Sequence, residues 1–231
     1  MELMKKFIIF KQGVLEELPL QLGVFPFGII YGIMAIESGL TPIQAFLMSS
    51  IIFGGASQIA FVQLISSATP LGVVVTTVSA INSRHFLYSI SMMEYLKNLS
   101  LKWRIVLSYL LTDEAYAVSI RRFINEPSTS FLHFHLLGTG ITLFLSWQIS
   151  TLIGVLVGGD LPQFLDLQFI IPLTFIAIIV PMIKSISTFF VVIASAFSGL
   201  ILKSLDINFW IVISGMIGVV IGLTSSKLDK K

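Results

Sequence analysis

Apolar stretches follow one another from about Leu18 to Thr224, and short polar clusters interrupt only some of them. Eight apolar segments can be drawn, at about 14–37, 42–65, 70–91, 104–120, 131–157, 167–183, 187–203 and 208–224. A run of roughly 20 apolar residues is long enough for a helix to cross about 30 Å of hydrocarbon. The pattern predicts an all-α polytopic membrane protein with about six to eight transmembrane or re-entrant helical segments, some of them broken. No interval between segments has room for a globular domain, so residues 1–231 are expected to form a single integral membrane domain.

The interruptions fall in the N-terminal half. The second segment contains Gly54 and Gly55, followed by Ser57 and Gln58. The third contains Asn82, Ser83, Arg84 and His85, and the fourth Thr112, Asp113 and Glu114. The last four segments are cleaner, with runs such as Phe169 to Met182. The N-terminal half is therefore expected to carry the polar chemistry and the C-terminal half to act as scaffold.

Composition agrees with a lipid-facing chain. Hydrophobic residues make up 55% and charged residues 11%, and mean hydropathy is +0.96. A soluble domain carries roughly 25% charged residues and could not cover its surface with so few. Cysteine is absent, which excludes disulfides, thiolate metal sites and cysteine nucleophiles. The net charge of +2 is small, and the basic residues sit in loops and at the ends, which suits membrane orientation better than nucleic-acid binding. The apolar run Phe7 to Phe10 is too short for a signal-peptide core, so the N-terminus is expected to be retained, with Met1 to Lys11 as a short amphipathic helix on the membrane surface.

Lys and Arg set the expected orientation. Lys5, Lys6 and Lys11 place the N-terminus inside, and Lys227, Lys230 and Lys231 place the C-terminus inside. The loop carrying Asp160 and Asp166 has no basic residue between Arg122 and Lys184 and is expected outside. The loop 92–104, with Lys97, Lys102 and Arg104, conflicts with eight full crossings, which would put it outside. It falls inside if segments two and three together cross once and segment four does not cross, giving about six crossings with two broken or re-entrant elements.

An intramembrane charge costs at least about 2.5–3.5 kcal/mol on insertion scales, so Arg84 needs a partner, a cavity or a route to the headgroups. Three readings stand open. Arg84 snorkels from a segment end; its planar fork binds a carboxylate; or it pairs structurally with Asp113 or Glu114. On a continuous helix Arg84 and Tyr88 share one face and Asn82 and His85 another. Asp113 and Glu114 point about 100° apart on a helix, so one can hold a cation or proton while the other pairs with Arg84; the bland alternative is the edge of a loop. Gly54 and Gly55 with Gln58 make a glycine-interrupted segment whose freed backbone groups can bind ligand atoms, or a close helix contact. Gly28/Gly32, Gly154/Gly158 and Gly218/Gly222 are small-residue faces suited to packing. His133 and His135 read as loop or interface residues rather than metal ligands. No metal site or cofactor is expected, and no P-loop is present for ATP-driven transport.

Three motifs together resemble the AzlC family: Phe53-Gly54-Gly55-Ala56-Ser57-Gln58, then Asn82-Ser83-Arg84-His85-Phe86-Leu87-Tyr88, then Leu111-Thr112-Asp113-Glu114-Ala115-Tyr116-Ala117. Gly13, Pro19, Pro26, Gly28, Gly32, Trp147, Gly154 and Leu165 to Phe169 are similar as well, in order along nearly the whole chain. The resemblance implies the large subunit of an exporter of leucine, isoleucine, valine or close analogues. It further implies a small hydrophobic AzlD-type membrane partner and a bacterial plasma or inner membrane. The residues expected to bind substrate or couple transport are Gly54, Gly55, Gln58, Asn82, Arg84, His85, Tyr88, Asp113 and Glu114, with Phe53 and Phe86 beside Tyr88 in an apolar pocket. Two other classes compete with a secondary, proton-coupled transporter. One is an intramembrane enzyme using His85 with Asp113 or Glu114, though no nucleophile elbow is present. The other is a membrane scaffold subunit.

Overall fold

The structure is a computed structural model that describes residues 2–126, 131–158, 176, 180, 183 and 185–226. Among the described residues it holds eleven α-helices and no strand. They are α1 (Glu2–Glu17), α2 (Gln21–Glu37), α3 (Pro42–Ile51), α4 (Gly55–Ser66), α5 (Leu71–Asn82) and α6 (Arg84–Leu96), followed by α7 (Leu101–Leu110), α8 (Asp113–Asn125), α9 (His133–Val157), α10 (Ile186–Ser204) and α11 (Trp210–Ser225). Three helices among them are long and apolar enough to cross a membrane: the α1–α2 run Glu2–Glu37, α9 and α10. The described residues divide into two compact units, one within Met1–Gln63 and Ile81–Leu161, the other within Leu64–Ala80 and Pro162–Lys231.

The first unit is built on two long helices running in the same direction. Gly13 meets the backbone of His135, Gly28 meets Ser150 and Trp147, and Gly158 meets Ile33 and Ile36. The contact is close because glycines face backbone on both sides. A Cβ on Gly32 would lie 2.5 Å from the Thr151 carbonyl oxygen, and one on Gly154 would strike the Ile29 carbonyl. Packing without a side chain between backbones is what small residues allow in membrane helices. Gly28/Gly32 and Gly154/Gly158 thus pack against each other. Gly218/Gly222 packs within the second unit, against Ser195 and Val191 of α10. All three faces are used in packing within the chain, as small residues allow.

The N-terminal helix also departs from expectation. It does not end near Lys11; it runs to Glu17, with Ile9, Gly13 and Glu17 forming one buried stripe four residues apart. That stripe is held against α9, where Gly138 meets the Phe10 carbonyl. A 3₁₀ turn, Leu18–Leu20 with Pro19, then hands the chain to α2.

α3 starts after a left-handed Gly39 (φ 88°) and a capping box in which Thr41 accepts from the Gln44 amide and Gln44 Oε1 accepts from the Thr41 amide. It runs back along α2 and α9: the Tyr31 hydroxyl donates to the Ala45 carbonyl at 2.8 Å, Ser49 meets Thr151 at 3.1 Å, and Ser50 donates to Gln148 at 2.8 Å. α7 comes from the other end. Trp103 packs on His133 at 5.0 Å, Tyr109 on Phe144 at 5.9 Å, and Leu110 lies on Gly140. α8 then returns, with Ser119 reaching Thr139 at 3.1 Å and Arg122 bonding Glu16 at 3.0 Å. α7 and α8 are therefore a hairpin that leaves and regains the same end of α9. Lys6 sits over the Phe131 ring at 4.7 Å at that end, so the basic loop 92–104 and the N-terminal lysines share it. The fourth apolar segment folds back, and this removes the charge conflict posed by eight crossings.

Asp160, Asp166, most of segment 167–183 and Lys227 to Lys231 lie outside the described residues.

Candidate functional site at the helix breaks

Three apolar segments break, and they break at one level. α3 ends at Ile51 and α4 begins at Gly55; α5 ends at Asn82 and α6 begins at Arg84; α7 ends at Leu110 and α8 begins at Asp113. Along α9 the breaks are bracketed by Gly140, which carries Leu110, and Trp147, which carries Gly55. That interval is about 10 Å of helix, near the middle of α9. The tips of α3 and α7 meet there: the Tyr109 hydroxyl donates to the Ser50 carbonyl, and Phe53 packs on Tyr109 at 6.0 Å and on Phe144 at 5.3 Å.

Each break has a local cause. At Gly54 the carbonyl accepts from the Ser57 hydroxyl at 2.7 Å and from the Gln58 amide at 3.0 Å, which closes the first turn of α4. A Cβ on Gly54 would sit 3.3 Å from Asn82 Oδ1, and one on Gly55 would sit 2.6 Å from the Trp147 ring. Glycine is needed where the backbone comes this close. Thr112 is extended (φ −98°, ψ −176°), and α8 opens with Asp113 and Glu114 in its first turn, where the helix dipole favours negative charge. Arg84 has the opposite sign for a first turn, and Asp113 offsets it.

The polar motifs meet across these breaks. Arg84 pairs with Asp113, each side chain about one-third exposed at 32% and 34%. Tyr88 stacks on Tyr116 at 4.6 Å, and Tyr116 hydrogen bonds Ser91 at 2.9 Å. The His85 ring lies 6.0 Å from Tyr88. The indole of Trp147 donates to Gln58 Oε1 at 3.1 Å and stacks on Tyr31 at 6.2 Å, tying α4 to α2 and α9. The second and third breaks are thus joined by an ion pair, and the first touches the second through Gly54 and Asn82. Of the open readings for Arg84, pairing with Asp113 is the one realised. Snorkelling is not, because Arg84 opens α6 at the level of the breaks.

Several buried polar atoms around the breaks have no hydrogen-bond partner: Asn82 Oδ1, Arg84 Nε, His85 Nε2, Thr112 Oγ1 and Asp113 Oδ1. Buried polar groups are nearly always paired, so a cluster of exceptions calls for an explanation. Glu114 follows Asp113 in the first turn of α8.

Phe86 does not line the site. Its side chain is 74% exposed, on the opposite side of α6 from the ion pair. His135 is not a loop residue: it is fully buried in the first turn of α9, with Nε2 3.1 Å from Glu16 and Nδ1 3.4 Å from Ser119. His133 packs between Trp103 and Phe134. No group of three or more potential metal ligands occurs among the described residues. A cavity of about 520 Å³ opens between the α1–α2 junction and α8, lined by Glu16, Pro19, Leu20, Arg121 and Arg122 among others. A second, about 440 Å³, lies by Glu94, Tyr95 and Lys97; neither takes in Arg84 or Asp113.

The residue that the sequence reading passed over is Glu17. It is fully buried, accepts from Gln21 Nε2 at 3.0 Å through Oε1, and leaves Oε2 without a partner. The signal was present: Glu17 continues the four-residue stripe of Ile9 and Gly13.

Apolar helices broken at one level around an ion pair define an all-α membrane protein with its polar chemistry inside. The chain belongs to the AzlC family, whose model, described as AzlC protein, matches residues 19–161. Among curated relatives, it is 29% identical over 188 residues to an uncharacterized membrane protein of Archaeoglobus fulgidus, covering 80% of each chain. It is 26% identical over 155 residues to the inner membrane protein YgaZ of Escherichia coli, covering 67% of this chain and 63% of that one. An uncharacterized membrane protein of Helicobacter pylori is 28% identical over 151 residues, covering 65% of this chain and 64% of its own. No solved structure matches.

Proposed function

We propose that this chain is the large subunit of a secondary, proton-coupled transporter that exports branched-chain amino acids. In this reading it is a multi-pass protein of a bacterial plasma or inner membrane and works with a small AzlD-type subunit. The observation that carries the reading is the set of unpartnered buried polar atoms at the helix breaks. An amino acid is a zwitterion with an apolar side chain. Arg84 Nε can donate to its carboxylate, and the first-turn amides of α4, α6 and α8, which start at the same level, add positive dipole ends. Asn82 Oδ1 and Asp113 Oδ1 can accept from its ammonium group. Tyr88, Tyr116 and Phe53 offer apolar surface beside them. Gly54, Gly55, Gln58 and His85 complete the surroundings. Discontinuous helices with free backbone groups at mid-depth are the common plan of secondary transporter sites.

The topology supports a crossing chain: α1–α2 and α9 cross in parallel, and the α7–α8 hairpin enters from the basic end and returns. The test is flux of labelled leucine in proteoliposomes, with and without the small subunit. Leucine movement that needs this chain and follows the proton gradient is the expected result. Absence of amino-acid flux with both subunits present rejects the reading.

A further inference from the structure

We propose that the cavity between the α1–α2 junction and α8 holds a phospholipid headgroup that carries both a phosphate and a primary ammonium, as phosphatidylethanolamine does. The proposal is independent of the transport reading above, because this cavity takes in neither Arg84 nor Asp113.

Its depth suits a headgroup. α2 has 17 residues and follows the 3₁₀ turn directly. At 1.5 Å per residue it covers about 26 Å, close to the roughly 30 Å of a hydrocarbon core. Glu16, Pro19 and Leu20, just before α2, therefore stand at one boundary of that core. The C-terminal half of α8 supplies the rest of the lining, and there Arg121 and Asn125 share a face through their four-residue spacing. Glu16 also meets His135 in the first turn of α9, which puts the cavity at the basic end of the first unit. Basic pockets between membrane helices on that side are where lipid headgroups bind.

Charge selects the headgroup. Two guanidiniums, Arg121 and Arg122, and two carboxylates, Glu16 and Glu126, line the cavity, so their formal charges cancel. Arg122 spans both carboxylates, at 3.0 Å from Glu16 and 3.4 Å from Glu126, and keeps a buried Nε without a partner. Arg121 is exposed and has no partner among the described residues. One cation is thus unspent, while two half-exposed carboxylates share the other. A headgroup phosphate can accept from the fork of Arg121 and from the Asn125 amide. A primary ammonium can donate to Glu16 and Glu126. A purely anionic headgroup would leave those carboxylates facing a like charge. A quaternary ammonium has no N–H to donate and binds over aromatic faces, and none of the described residues lining the cavity is aromatic. The acyl chains have a path as well, since Leu18, Leu20 and Leu22 at the same junction are all exposed. A soluble zwitterion would have no use for that apolar border.

Native mass spectrometry of the delipidated, detergent-purified protein tests the assignment. It is titrated with phosphatidylethanolamine, phosphatidylcholine and phosphatidylglycerol of matched acyl chains. Phosphatidylethanolamine is expected to bind most tightly. Arg121→Ala should weaken it by about fivefold, the worth of one basic residue at a lipid surface. Glu126→Gln should weaken phosphatidylethanolamine and spare phosphatidylglycerol. Arg121 holds no described partner, so Arg121→Ala is expected to leave the lipid-free melting temperature unchanged. Equal binding of the three lipids, or phosphatidylethanolamine binding unaltered in both variants, overturns the proposal. Tighter binding of phosphatidylglycerol, lost with Arg121 alone, would make the cavity a plain anion site and overturn the headgroup assignment. Free phosphoethanolamine that binds as tightly as the lipid, or leucine that displaces the lipid, would show a soluble occupant and overturn it too.

Discussion

Arg84 and Asp113 are 29 positions apart, each opens a half-helix, and their side chains pair across two breaks in apolar segments. The pair closes the α8 tip against α6. It consumes one acceptor oxygen of Asp113 and leaves Oδ1 and Arg84 Nε free.

Because the pair is only about one-third exposed, breaking it by one partner should leave a poorly solvated charge. Arg84→Ala or Asp113→Asn alone is expected to destabilise the purified protein by about 1–3 kcal/mol, less than a fully buried pair would lose. The double variant should recover most of that loss in thermal unfolding. Additive losses in the double variant would show that the two side chains are not coupled.

The glycine contacts make a sharp contrast. Gly32→Val and Gly154→Val push side chains into opposing backbone, where a Cβ on Gly32 already lies 2.5 Å from an oxygen. Losses of about 1–3 kcal/mol or failure to fold are expected. Gly23→Ala and Gly72→Ala meet nothing within 4 Å and should stay within about 0.5 kcal/mol or gain slightly. Monodisperse yield on size exclusion separates the two groups.

Much of this site was legible in the sequence, because a glycine pair, an arginine or two adjacent acids stand out in apolar segments. That the segments break there followed from the cost of unpaired polar groups in lipid. Partner choice was not legible. Gly28/Gly32 and Gly154/Gly158 read as small-residue packing faces, and only the three-dimensional structure revealed that they pack against each other. Glu17 was hidden for a related reason. It lies in the first apolar segment beside Glu16, and an acid pair near a chain end reads as a solvated edge. Its burial follows from its place on the stripe with Ile9 and Gly13 that α1 turns toward α9, a pairing that hydropathy alone leaves undecided.

The hairpin makes a labelling prediction, clean because the native chain has no cysteine. Single cysteines at Lys5, Asn98 and Asn125 should all react from one side of the membrane in intact cells and inverted vesicles. A cysteine at Gly39 should react from the other. Opposite sidedness for positions 98 and 125 would mean that α7–α8 crosses after all.

Trp147→Phe should cost about 1 kcal/mol through loss of the indole hydrogen bond to Gln58 Oε1 at 3.1 Å, while keeping most of the stacking on Tyr31. Gln58→Leu should lose about the same amount, and the two losses should overlap rather than add. Thermal unfolding of the two single variants and the double variant decides it.

The central claim is that the helix breaks bind an amino acid through Arg84 and Asp113, and equilibrium binding of labelled leucine to the purified protein tests it most directly. Arg84→Lys keeps the charge but loses the planar fork, and is expected to weaken binding by about tenfold, or about 1.4 kcal/mol. Arg84→Ala and Asp113→Asn should weaken it further, while Phe86→Ala, on the outer side of α6, should leave it unchanged. Unaltered leucine affinity in folded Arg84→Ala and Asp113→Asn proteins would contradict the account.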